Sequence, residues 1–173
     1  MSAPLTGRSA TAWLGRVHTL RLSRHSRILA AVLLFSYLAI EYGGYYLVQV
    51  ASGREAELTE FQLAFSRAGH AHAGVLVTLG LIGLILADAT RLTGFRGYLA
   101  RHAIPIGALL MAVGFFLSSS DPGATAPNDL IMLVWIGAVS LAIGVITLAV
   151  GLLTAANEPA PPRSVRSPRA GVR

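Results

Sequence analysis

Four long apolar blocks, separated by short stretches that hold most of the charge, constrain this chain more than any other feature. The first runs from Ile28 to about Val50, 23 residues broken by one charge, Glu41. A helix of that length, rising ~1.5 Å per residue, crosses a hydrocarbon core of roughly 30 Å. The second block runs from about Ala68 to Ala87. The third, Ala103 to Leu117, spans only if it starts near Tyr98, and the fourth, Leu130 to Thr154, is the most uniformly apolar. The pattern predicts an all-α fold, an integral membrane four-helix bundle with spans at about 28–50, 68–89, 98–117 and 130–154. Composition agrees, because 54% of the 173 residues are apolar and only 13% charged, which argues against disorder and against a water-soluble domain. The chain has no Cys, so disulfides, thiolate metal sites and cysteine nucleophiles are excluded.

Orientation follows from the basic residues, which are retained on the cytoplasmic side. Arg8, Arg16, Arg21, Arg24 and Arg27 precede the first span; Arg91, Arg96 and Arg101 lie between the second and third; Arg163, Arg166, Arg169 and Arg173 follow the fourth. Only Arg54 and Arg67 fall in the first loop and none in the third, so both termini are expected to be cytoplasmic. The net charge of +6 is thereby explained by topology, and nucleic acid is not an expected partner. The exclusive use of arginine points to a GC-rich prokaryotic genome, and with the spans to a plasma-membrane location. A cleaved signal peptide is disfavoured, since the first apolar stretch is too long and Glu41 interrupts it. Residues 1–27 read as a basic cytoplasmic segment in which Trp13, Leu14, Val17 and Leu20 have the spacing of a short surface helix. Residues 155–173, with four Pro and four Arg from Glu158 onward, read as a disordered cytoplasmic tail.

Helices in lipid associate by close van der Waals contact, so regularly spaced small residues mark contact faces. Gly137, Gly144 and Gly151 recur every seven residues in the fourth span; Ala103, Gly107 and Gly114 form a stripe in the third, and Ala73, Gly80 and Ala87 in the second. These stripes predict a compact bundle and carry no activity.

Ionisable groups at membrane depth are costly unless paired or hydrated, and each is a functional candidate. The segment Arg67-Ala68-Gly69-His70-Ala71-His72-Ala73-Gly74-Val75-Leu76 holds three of them. Glu41, nine residues from the outer end of its span, sits between Tyr37 and Tyr45 on one helical stripe, at about the depth expected for His72. An outer-leaflet polar site of Glu41, Tyr45, Arg67, His70, His72 and Asp129 is the resulting expectation, with Asp121 and Asn128 able to close it from above. Glu41 and His72 are expected to be energetically coupled, whereas His70, about 200° away from His72 on an ideal helix, is expected to behave independently.

That site admits several readings. It is a polar plug that fixes helix register; a membrane haem- or metal-binding centre for electron transfer or sensing, with His70 and His72, joined for a metal by Glu41, as ligands; or a proton-coupled or small-solute permeation site. A haem b bound by two histidines needs a ligand on another span, yet His18, His25 and His102 lie on the cytoplasmic side, so a second subunit or a non-His ligand would complete it. Enzyme activity is not expected. Ser118, Ser119 and Ser120 next to Asp121 read as a helix end, and no Gly-X-Ser-X-Gly, phosphate loop or dinucleotide fingerprint is present. Leu58, Phe61 and Phe65 suggest an interfacial helix leading into the second span, and Thr59-X-X-Gln62 has the form of a capping box, a common chance match.

The Arg67 to Leu76 stretch resembles the His-X-His helix starts of membrane proteins related to haem-copper oxidase subunits and NnrS-type haem proteins, which implies haem or metal ligation. Over residues 30 to 155 the chain is similar to a family of small, functionally uncharacterised actinobacterial membrane proteins. Its elements here are Glu41-Tyr42-Gly43-Gly44, Phe61-Gln62, the Arg67 to Leu76 stretch and Gly114-Phe115-Phe116-Leu117-Ser118-Ser119. This resemblance implies four spans in a lipid bilayer and no particular activity; a homo-oligomer is compatible with it.

Overall fold

The computed structural model describes residues 22–55, 57–90 and 92–156. They form four helices, α1 (Arg24–Ala51), α2 (Glu60–Ala89), α3 (Gly94–Ser118) and α4 (Met132–Ala156), with a 3-10 turn at Asp129–Ile131 leading into α4. There is no strand among the described residues, and all four helices are long and apolar enough to cross a membrane. The expected surface helix around Trp13 to Leu20 lies outside the described residues, as does the expected tail from residue 157 onward.

α1 and α2 begin earlier than their apolar blocks because side-chain caps, not hydropathy, set their starts. Ser23 is the N-cap of α1, its hydroxyl accepting the Ser26 amide, so Arg24 to Arg27 belong to the helix and not to a separate basic segment. At α2 the Thr59/Gln62 capping box is formed in both directions, which starts the helix eight residues before Ala68. The interfacial helix expected at Leu58 to Phe65 is therefore mostly the first turns of α2 itself. The Phe65 ring packs there against Phe115 of α3 at 5.5 Å. α3 starts at Gly94, whose φ of +60° suits glycine, and it carries a buried Pro105, which cannot donate to the Arg101 carbonyl one turn back. α4 continues two residues past Thr154.

Packing follows the small-residue stripes most closely between α3 and α4. A Cβ on Gly107 would lie 2.7 Å from the Gly137 carbonyl oxygen and 2.8 Å from the Leu141 nitrogen, so the two backbones are in direct contact. Ser140 adds a hydrogen bond from its hydroxyl to the Ala103 carbonyl at 2.9 Å. On α2, Ala73, Gly80 and Ala87 are all buried. Only Ser26 and Leu33 of α1 are buried, with Leu33 seated over Gly80. An apolar groove of about 400 Å³ is left beside α1, bounded by Ile40, Gly43, Tyr46, Val77, Val113 and Phe116.

Candidate functional site

The groups expected to share one polar site point in different directions. His70 turns toward α1, where its Cε1 would be 2.9 Å from a Cβ on Gly44. This contact explains why Glu41-Tyr42 is followed by two glycines: the second leaves room for the imidazole. The His70 Nδ1 is buried without a hydrogen-bond partner among the described residues, a state that costs roughly 1–3 kcal/mol. His72, two positions on, faces α3. Its Nδ1–H donates to the Ala68 carbonyl at 2.8 Å and its ring stacks on Phe115 at 5.1 Å.

Glu41 has the expected depth but not the expected direction. The Tyr37 hydroxyl meets the Gly74 carbonyl at 3.4 Å as well as the Thr78 hydroxyl, and Gly44 meets His70, so the antiparallel register sets Glu41 level with about His72. Steps of four residues drift by about 40° on a helix, and the Tyr37–Glu41–Tyr45 stripe winds away from α2. Tyr37 is half-buried, whereas Glu41 is exposed and Tyr45 is 60% exposed. No ion pair joins Glu41 to either histidine or to the exposed Arg67 among the described residues.

At the same end of the bundle the loop polar groups satisfy one another. Gln62, buried at the head of α2, donates through Nε2 to the Ser119 and Asp121 carbonyls at 3.1 and 3.0 Å. Asn128 donates to the Asp121 carboxylate at 2.9 Å and accepts the Leu130 amide. Asp129 is exposed in the 3-10 turn. The six-residue polar site is thus not assembled within one copy of the chain. Among the described residues no group of three or more His, Asp or Glu is placed to hold a metal ion, so Glu41, His70 and His72 do not form the expected ligand set.

Comparison with family models, with curated proteins and with solved structures finds no match. The chemistry is therefore read from the side chains alone, and these converge at the opposite end of the bundle. The Asp88 carboxylate, at the end of α2, accepts from the Arg101 Nε at 2.8 Å and from the Ser23 amide at 2.7 Å, joining α2, α3 and the cap of α1. The ion pair is largely buried, its side chains 18% and 10% exposed for Arg101 and Asp88. Arg101 also donates through Nη1 to the Leu92 and Gly97 carbonyls at 3.2 and 2.9 Å. Beside it, the His102 ring stacks on Tyr98 at 4.1 Å and approaches His25 edge-on at 6.3 Å.

Sequence reasoning missed this cluster. Asp88 closes the second apolar block, where a charge looks like the ordinary end of a span. One signal was present: it is the sole acidic residue between Glu60 and Asp121, beside Arg91, Arg96 and Arg101.

Proposed function

We propose that the chain is an integral membrane protein of the prokaryotic plasma membrane, with both termini cytoplasmic, whose first span binds a second copy of the chain in the plane of the bilayer. The observation that carries this reading is the exposure of Glu41 near the middle of the apolar stretch of α1. A carboxylate facing hydrocarbon at that depth costs roughly 3 kcal/mol, and a polar neighbour from another helix removes much of that cost. Glu41 lies on an exposed stripe with Leu34, Leu38, Tyr45 and Val48, spaced alternately four and three residues apart. That is the spacing of a left-handed helix pair, in which apolar residues make the seam and one polar position sets the register. Tyr45, one turn from Glu41, supplies the hydroxyl that can donate to the partner's carboxylate. The arginine distribution supports the orientation.

The absence of Cys makes the test clean. Leu38→Cys in an otherwise native chain should give a disulfide-linked dimer in liposomes upon oxidation. Adding Glu41→Val should lower the dimer association constant about tenfold, the equivalent of one interhelical hydrogen bond of ~1–2 kcal/mol. Monomers at every protein-to-lipid ratio would refute the reading.

A further inference from the structure

Next to the Asp88–Arg101 pair lies a cavity of about 260 Å³ lined by Ser23, His25, Gly97, Tyr98, Arg101 and His102. We propose that it binds a phosphate group, carried by an anionic lipid headgroup or by free phosphate.

The charge balance selects the ligand. Both oxygens of Asp88 are already engaged, one by Arg101 and one by the Ser23 amide. Three of the five guanidinium N–H groups of Arg101 are committed to Asp88, Leu92 and Gly97, which locks its orientation and, among the described residues, leaves the Nη2 pair. His102 commits Nδ1–H to the Tyr98 carbonyl at 3.0 Å, so as an imidazolium it presents a second donor through Nε2. His25 reaches in from α1. Arg24 and Arg27 in the first turn of α1 and Arg96 in the first turn of α3 are exposed on the same two helices. A phosphate takes several charge-assisted hydrogen bonds from such a set, and basic pockets between spans at the cytoplasmic surface suit anionic headgroups. The site is independent of any pairing through α1.

Titration of the full chain in detergent at mildly acidic pH tests this with thermal unfolding as the readout. Phosphatidylglycerol, phosphatidylcholine and inorganic phosphate are the three probes. Phosphatidylglycerol is expected to raise the unfolding temperature, with half-saturation at least about fivefold weaker in the His25→Gln/His102→Gln double variant. If inorganic phosphate gives the same shift with the same dependence on the two histidines, the site holds and its ligand is free phosphate. His25→Gln alone, on the exposed first turn of α1, serves if the double variant does not fold. Equal responses of the native and variant chains, or equal responses to phosphatidylglycerol and phosphatidylcholine with none to phosphate, would overturn the proposal.

Discussion

The α3–α4 contact and the seat of α1 on α2 are built from the same kinds of residue but by different means. Where α3 meets α4, glycine faces backbone: a side chain at Gly107 or Gly144 would run into main-chain atoms, which cannot turn aside. Where α1 meets α2, glycine faces side chain: Gly80 receives Leu33, and Gly44 receives His70. The first contact tolerates almost nothing; the second can adjust by rotamer. A rigid pair therefore anchors the bundle, while α1 is held at separate points along its length and leaves a wide face uncovered.

Four measurements can break or sharpen that contrast, all read as unfolding free energies in detergent. Gly107→Val should be the most damaging, at about 3 kcal/mol or outright loss of folded protein, because overpacking here has only backbone to displace. Asp88→Asn should cost about 2 kcal/mol, since it leaves Arg101 largely buried beside a neutral amide and weakens the tie to Ser23. Gly44→Ala should cost only about 1 kcal/mol, and His70→Ala in the same chain should recover most of it, because the clash is with a side chain. The smallest effect expected is the coupling between Glu41→Gln and His72→Ala, which should add to within about 0.5 kcal/mol. A large non-additive term would place the two side chains together and restore the site read from the sequence.

Hydropathy alone made the number and approximate place of the four helices legible, because a span needs a long uninterrupted apolar stretch and nothing else in the chain resembles one. The stripes of Gly107 and Gly137 were legible for a similar reason: seven-residue spacing of glycine has few other uses in a span. Helix starts were less so. The Thr59/Gln62 box was visible but weak as a sign, and its second use, holding the Ser119 and Asp121 carbonyls, depends on a loop 57 to 59 residues away. The polar site failed on azimuth. The depth of Glu41 could be reckoned from its span, but which way it faces depends on how α1 is rolled against α2, and that is fixed by Leu33, Tyr37 and Gly44. Asp88 and Arg101 were overlooked for a different reason, since thirteen residues and a turn separate them and charges near span ends are ordinary.

The bond between the Ser23 amide and Asp88 also fixes an order of events. Its partners are 65 residues apart, so α1 is synthesised before the acceptor of its cap amide. Leu33 likewise has no seat until Gly80 has been made. The first helix to be made therefore waits for its fastenings until α2 has followed it. Nascent chains arrested before residue 80 should carry an α1 that lacks both of these partners, whereas chains longer than 88 residues contain both.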